Sequence, residues 1–279
     1  MLLAQNASLG LVVMAIRLHI VSHCYNEELL MPGWVKWHQR LAPDSVTVIN
    51  HNSTDRTVGI IKELAPDWNI IPTRLEWFAA GPLDHEVSEV EASLPTSPED
   101  WKITLNTTEY LWTPDLRTRL QLASQQAPHL QAFGARSISL VDIEPNDSLD
   151  PMDHVEGYID YERGVHGSRR WRYIHNQDYG HYHLGRHGVD LPATEMPDWF
   201  ILHWHFAPFP KVKQRKQQID GRRPPGDKAL GLGVQHGAVA TDEGFNRVYQ
   251  EERARSFNLL DFPLYKEYYE YWRQRIDNE

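Results

Sequence analysis

The sequence predicts an α/β domain with a mostly parallel central sheet flanked by helices. Two short apolar runs, residues 18–21 (LHIV) and 46–49 (VTVI), have the length and β-branched content of buried strands. Each run is followed by a polar turn and then by a helix-prone segment. This strand–helix–strand–helix order is typical of parallel sheets with crossover helices. Ligands of open α/β sheets bind beyond the carboxyl ends of the strands, so the polar turns mark the expected site.

The remaining elements follow from apolar periodicity and from the positions of proline and glycine. We expect strands at residues 69–72, 101–105, 131–143 and 199–206, and helices at residues 57–64, 78–91, 115–126 and 264–276. The last helix is rich in aromatic residues, and we expect it to pack back on the domain. Ten Trp and twelve Tyr are many for this length, and we expect core packing to account for most of them.

Bulk composition restricts the class of protein. The chain has 279 residues, of which 41% are hydrophobic and 24% charged, as is ordinary for a soluble globular protein. A net charge of −10 argues against a nucleic-acid binder, which would present a basic face. No apolar run approaches the roughly 20 residues of a transmembrane helix. The single cysteine, Cys24, excludes an intramolecular disulfide and suits a reducing compartment, so we expect a cytoplasmic protein.

Three segments carry a resemblance to a known family. They read SHCYNEELLMPGWVKWH (residues 22–38), VTVINHNSTDRT (46–57) and WKITLNTTEYLW (101–112). In this order they resemble the opening of a family 2-type glycosyltransferase with the GT-A fold, which has YNEE, then N-x-S-T-D, then an apolar strand ending in D-x-D-E-F. The resemblance is specific over about residues 17–112 and weaker through about residue 236. It implies a GT-A-like, Rossmann-like sheet and a His- and aromatic-rich C-terminal acceptor part.

We expect the chain to divide into three parts. We expect residues 1–13 to be a poorly ordered extension, residues 14–255 to form a single GT-A-like domain, and residues 256–279 to contain a C-terminal helix. Within the domain, residues 14–112 would be the nucleotide-binding half and residues 113–255 the acceptor half.

The first two motifs imply a nucleotide site. By resemblance, its residues would be Tyr25, Asn26, Glu27, Asn52, Asp55 and Asn106. A simpler interpretation is open for the acidic members: Asp55 precedes a helix and would cap it, and Glu27 would complement a helix dipole.

The third motif departs from the family pattern, because Asn106, Thr107, Thr108 and Glu109 stand where the D-x-D-E residues would be. In the family, D-x-D binds a divalent cation that bridges the donor diphosphate. Neutral oxygens bind Mn²⁺ or Mg²⁺ less strongly than carboxylates do. A divalent cation is therefore doubtful, and the pseudo-enzyme outcome is open.

Two further outcomes concern the charge of the diphosphate. A metal could be kept by Thr108, Glu109 and a histidine such as His203 or His236. Alternatively, the basic stretch at residues 211–223 could offset the diphosphate charge, although a solvated basic loop is an equal interpretation of that stretch.

Histidines and lysines of the second half resemble pocket residues of the family. The counterparts would be His187, His203, Lys216 and His236, lining the diphosphate or acceptor pocket; His205 and Lys213 fit nearly as well. The spacing His181-x-His183 and His203-x-His205 could also serve zinc if both stretches are extended.

An inverting transfer needs a general base, usually a carboxylate, to take the acceptor proton. The candidates are Asp153, Glu156, Glu195 and Asp198, of which we favour Asp198 and then Glu156.

The sequence therefore predicts an inverting glycosyltransferase that moves a sugar from a nucleotide-diphosphate sugar to a hydroxyl acceptor. A glycan acceptor, as in polysaccharide biosynthesis, follows from the resemblance alone. The alternative is a non-catalytic nucleotide- or glycan-binding protein derived from the same fold.

Overall fold

The computed structural model describes residues 15–76, 80–159, 170–219, 221, 224–231 and 237–278. The extension expected at residues 1–13 and the candidate residue His236 lie outside this part.

One mixed sheet, ten-stranded in the described residues, organises the fold. Its first half consists of β1 (Arg17–Cys24), β2 (Ser45–Asn50), β3 (Asn69–Pro72) and β4 (Asp100–Asn106). These four strands are parallel and lie in the order β3-β2-β1-β4. The chain thus moves outward from β1 to β3 and then crosses to the other side of β1. The predicted α/β class with a parallel central sheet is confirmed, and the switch of direction between β1 and β4 is where such sheets bind ligands.

The second half of the sheet is more mixed. Its strands are β5 (Glu109–Leu111), β6 (Ala132–Val141), β7 (Glu156–Ile159), β8 (Trp171–His175), β9 (Ala193–Phe206) and β10 (Phe257–Asn258). Strand β8 lies between β4 and β6 and is antiparallel to both. Strand β9 runs parallel to β6 and pairs with the short β5 in the antiparallel sense. This pairing brings the C-terminal half of the chain to the edge where β4 ends.

The helices are α1 (Met31–Arg40), α2 (Thr57–Leu64), α3 (Ala80–Ala92), α4 (Leu116–Gln126), α5 (Phe209–Ile219), α6 (Pro225–Ala229), α7 (Asp242–Ala254) and α8 (Pro263–Ile276). The basic stretch that could have been a solvated loop is therefore helical through residue 219. No helix of the described residues has the length and apolar character that crossing a membrane requires.

Buried indole groups of three tryptophans bind backbone carbonyl groups in the short strand β5 and just after it. Trp34 and Trp37 of α1 donate their Nε1–H groups to the carbonyl oxygens of Glu109 (3.0 Å) and Leu111 (2.8 Å). Trp272 of α8 donates to the carbonyl of Trp112 at 2.7 Å. Burial of a Trp is favourable when its N–H finds a partner, and these bonds satisfy that condition. The aromatic C-terminal helix thus packs on the core and positions the segment after β4.

A tight contact between α1 and a loop yields a stability prediction. A Cβ at Gly33 would lie 2.5 Å from the carbonyl oxygen of Leu149, whereas a Cβ at Gly59 in α2 would meet nothing within 4 Å. We expect Gly33→Ala to lower the free energy of unfolding by about 1–3 kcal/mol through overpacking. The control Gly59→Ala should raise it by about 0.5–1 kcal/mol because alanine favours helices. Urea denaturation measures both, and a stabilised Gly33→Ala would contradict the packing argument.

Candidate functional site

The two predicted turns beyond β1 and β2 are hydrogen-bonded to each other. Asn26 adopts a left-handed conformation with φ of 51°. Its backbone N–H donates to Ser53 Oγ at 3.0 Å, and its side-chain Oδ1 accepts from the backbone N–H of Thr54 at 2.7 Å. Asparagine tolerates this conformation better than most residues, because its short polar side chain bonds locally. The turns therefore form one rigid ledge at the carboxyl ends of two neighbouring strands.

Asp55 joins the same ledge to α2. Its Oδ2 accepts from the backbone N–H of Glu28 at 3.1 Å, and its Oδ1 accepts from that of Thr57 at 3.0 Å. The helix-capping interpretation thus has a structural counterpart. The half-buried carboxylate keeps further lone pairs, so capping and nucleotide contact are compatible. Near it, Tyr25 is half-buried and Asn52 is exposed. Their nucleotide role stays a prediction.

Glu27 connects the first turn to the basic helix α5. Both carboxylate oxygens accept from the Arg215 guanidinium, at 2.6 Å each. Glu27 is 5% exposed, and its backbone N–H donates to Thr57 Oγ1 at 2.7 Å. A bidentate pair of this kind is specific in geometry as well as charge-neutral. The turn beyond β1 is therefore held from two sides.

At the end of β4, Glu109 is neutralised by a buried arginine. The Arg172 guanidinium donates to its carboxylate oxygens at 2.8 and 2.6 Å, and the backbone N–H of Asn106 donates to Oε2 at 2.8 Å. Arg172 and Glu109 are 2% and 4% exposed. The carboxylate that follows the Asn-Thr-Thr sequence is thus fully engaged.

Asn106 itself faces a second arginine. Its Oδ1 accepts from Arg186 Nη2 at 2.7 Å and lies 3.0 Å from His23 Nε2. Arg186 also pairs with Asp84 of α3. Burial and the Arg186 charge lower the pKa of His23 well below its ordinary value, so this imidazole is neutral. Guanidinium groups therefore contact both Asn106 and Glu109, where the sequence resemblance would imply a metal.

This donor set does not fit a divalent cation. The oxygens of Asn106 and Glu109 already accept hydrogen bonds from Arg186 and Arg172, and a hard cation prefers several free anionic oxygens. His203 lies opposite Glu109 in the β5–β9 pairing, and the carbonyl of the buried Thr108 accepts from the Trp204 N–H. No group of three or more His, Cys, Asp or Glu side chains within the described ranges could hold a metal.

A group of histidines and cations lies beside Glu109. Arg170 Nη1 is 2.9 Å from His203 Nδ1 and 3.3 Å from His205 Nδ1. The Lys216 ammonium lies 4.6 Å from the Phe206 ring centroid. Burial and the charge of Arg170 lower the pKa of His203, whose neutral ring accepts the bond from the guanidinium.

The predicted pocket residue His187 belongs to the same neighbourhood. Its Nδ1 accepts from Arg172 Nη1 at 3.0 Å. Burial, followed by the charge of Arg172, lowers the pKa of His187 to about 2. His187, His203 and Lys216, predicted from a loose resemblance, are thus brought together around Arg170 and Arg172. Their roles in binding remain predictions.

Other candidate residues lie elsewhere. Asp198 pairs with Arg119 at 2.6 Å and precedes His203 by five positions, or about 17 Å along β9. Glu156 accepts from the backbone N–H of Ile143 at 3.0 Å. Within the described residues, neither is in hydrogen-bond contact with the ledge or with Arg170, Arg172 or Arg186, and their role as a base stays a prediction.

The histidine pairs differ from each other. His203 and His205 lie side by side, with ring centroids 5.3 Å apart. The stretch containing His181 and His183 is not an extended strand, because His181 has φ of 46°. The condition under which these two side chains would share a strand face is therefore not met.

Three arginines of the site were missed by sequence reasoning, namely Arg170, Arg172 and Arg186. The alternation in RRWRYIH was the available signal, because Arg170 and Arg172 project to the same side of an extended chain. Glu109, the acidic partner of Arg172, lies 63 positions away in the sequence, so local patterns do not reveal this pair.

The buried Glu109–Arg172 pair gives a second prediction. Glu109→Gln leaves the Arg172 charge buried without compensation, and we expect a loss of about 3–5 kcal/mol in the free energy of unfolding. The double variant Glu109→Gln/Arg172→Met should recover part of this loss, because it removes the uncompensated charge. As control, Asp147→Asn breaks an ion pair with Lys211 in which the acid is 73% exposed, and should cost less than about 1 kcal/mol. Equal losses for the two single variants in urea denaturation would contradict the prediction.

Comparisons with known proteins give distant likenesses. No family model matches the chain, and no curated protein matches it. Among solved structures, the chain is similar to glucosyl-3-phosphoglycerate synthase from Mycobacterium tuberculosis in complex with Mn²⁺, UDP and glucosyl-3-phosphoglycerate. The identity is 13%, the match covers 44% of each chain and the TM-score is 0.32. The chain thus spans less than half the length of this synthase.

A second similar structure is S. aureus TarS, residues 1–349. The identity is 12%, the match covers 86% of this chain and 74% of that chain, and the TM-score is 0.38. In the chain itself, the parallel order β3-β2-β1-β4, its flanking helices and the motif turns at the strand ends agree with the Rossmann-like α/β arrangement that the motifs implied.

Proposed function

We propose that the chain is an inverting glycosyltransferase that takes a nucleotide-diphosphate sugar as donor and a hydroxyl group, on a glycan, as acceptor. The observation that carries the proposal is the ledge of two interlocked turns beyond β1 and β2. It lies next to Asn106 at the end of β4, across the point where the strand order changes direction. Crevices at such switch points bind nucleotides in open α/β sheets.

The donor would lie along this edge. Its nucleoside would contact Tyr25, Asn26, Asn52 and Asp55, and its diphosphate would extend past Asn106 toward the histidines of β9. Asp55 would accept from a base N–H or a ribose hydroxyl with the lone pairs that its two backbone bonds leave. Glu27 would act indirectly, since Arg215 already occupies its carboxylate.

The reaction would form a bond from the acceptor oxygen to the anomeric carbon and break the bond from that carbon to the diphosphate. The nucleoside diphosphate leaves with the bonding electrons, and the acceptor proton goes to a carboxylate. Asp198 and Glu156 stay the predicted candidates. A role for Asp198 requires the acceptor to reach the first half of β9.

A second candidate function is a non-catalytic nucleotide- or glycan-binding protein. The specific observation in its favour is that Glu109 is neutralised by Arg172 and that Asn106 replaces an acidic residue. Turnover separates the two. Release of nucleoside diphosphate above background, in the presence of donor and acceptor, supports the transferase and rules out the binding protein.

The donor site gives a third prediction. UDP-, GDP- or dTDP-sugars at about 100 times their Kd should stabilise the protein by about 2.7 kcal/mol, which is several degrees in Tm. Asp55→Asn should reduce the ligand-induced shift relative to its own ligand-free Tm. The exposed Asp67→Asn, beyond α2, serves as control and should leave the shift unchanged. If no nucleotide sugar of the panel shifted the Tm of the unmodified protein, the donor proposal would fail.

A further inference from the structure

Most arginines of the site have a carboxylate partner. Arg172 pairs with Glu109, Arg186 with Asp84, and Arg215 with Glu27. Within each pair, the positive and the negative charge neutralise each other. The carboxylates of Glu109, Asp84 and Glu27 are thereby occupied, so further cations in the same region need a different counter-charge.

Two cations remain, which we call the cationic pair: Arg170 and Lys216. Arg170 contacts the neutral rings of His203 and His205. Lys216 lies over Phe206, and neither cation forms an ion pair with a carboxylate of the described residues. Like charges held together in a partly buried site repel each other unless an anion binds between them.

The groups that face Lys216 come from several elements. They are Arg215 on α5, Arg170 before β8, His205 on β9 and Glu252 on α7. Burial, followed by the charges of Arg170 and Arg215, lowers the pKa of Lys216 to about 7, and Glu252 acts in the opposite sense. Glu252 is itself paired with Arg255 and lies 3.5 Å from His205 Nε2, so it compensates Lys216 only weakly.

The cationic pair borders the proposed donor site. Arg170 lies two residues before Arg172, and His203, which contacts Arg170, is paired with Glu109 in the sheet. Lys216 follows Arg215, whose guanidinium binds Glu27 of the ledge. The pair therefore lies where a diphosphate would extend from a nucleoside bound at the ledge.

We propose that Arg170 and Lys216 bind the donor diphosphate directly, without a divalent cation. This inference rests on the proposed function, because it takes the anion to be that of a nucleotide-diphosphate sugar. The guanidinium supplies a planar fork for phosphate oxygens and the ammonium a compact point charge. Together they stabilise the charge that develops on the leaving diphosphate, which is the electrostatic task of a metal in related chemistry.

The test is calorimetric titration of UDP, GDP and inorganic pyrophosphate, each with EDTA and with Mn²⁺. We expect UDP or GDP to bind with the same Kd under both conditions and pyrophosphate to compete with it. Lys216→Met and Arg170→Gln should each weaken binding about 10- to 100-fold, as expected for loss of a hydrogen bond to a charged group. Lys266→Met on α8 is the control, because Lys266 is an exposed lysine to which no binding role is assigned. It should change Kd less than about 2-fold.

Proton linkage provides an independent readout. An anion raises the pKa of Lys216, so at about pH 8 the largely neutral amine of the free protein takes up a proton on binding. Affinity should fall as the pH rises through about 7. Titrations in buffers of different ionisation enthalpy measure the uptake, which Lys216→Met should abolish.

The outcomes separate the inference from the proposed function. Binding that requires Mn²⁺ and is unchanged in Lys216→Met and Arg170→Gln overturns the inference and leaves the donor proposal intact. Pyrophosphate binding without nucleotide or nucleotide-sugar binding supports an anion site and overturns the donor proposal. Absence of all binding overturns both.

Discussion

The geometry of the candidate site depends on the buried ion pair between Glu109 and Arg172. The side chain of Glu109 is held by the guanidinium, and its backbone carbonyl accepts from the indole of Trp34. The remaining Arg172 donor, Nη1, reaches the carbonyls of Gly185 and Arg186 at 3.0 and 2.8 Å. Removing either ion from such a pair would leave the other charge buried without compensation. Arg172 therefore holds β5, β8 and the loop before β9 in one fixed arrangement. One contact thereby sets the position of Arg186 against Asn106.

The same pair explains why the third motif looks degraded in sequence yet is well ordered in structure. Where the sequence resemblance would imply acidic side chains and a cation, this chain has internal arginines. They donate hydrogen bonds to the side chains of Asn106 and Glu109. Asn106 suits this arrangement because a neutral amide accepts from Arg186 without adding a further buried negative charge.

The first half of the fold could be predicted from the sequence because its information is local. The runs that form β1 and β2 are short and apolar, and the turns that follow contain residues that bond to their own neighbourhood. The second half could not be predicted as well. Strand β8 inserts between β4 and β6, and α5 closes on a turn near the N-terminus. Pairings over such separations depend on charge and shape complementarity in three dimensions, which periodicity does not encode. The histidines of β9 were found from a resemblance, whereas Arg170 and Arg186 were not.

The bond between Glu27 and Arg215 spans 188 positions of the chain. On the ribosome, where synthesis runs from the N-terminus, β1 and β2 emerge and can pair long before α5 exists. Until α5 has been synthesised, the Glu27 carboxylate has no guanidinium partner and stays hydrated. The ledge is consequently incomplete until α5 has been synthesised, although the strands that precede α5 can already pair by then. Contacts between residues so far apart in sequence slow folding, because the entropic cost of closing the loop comes before the contact stabilises the structure. The contact that holds the first turn thus also sets when, during synthesis, the ledge can reach its final geometry.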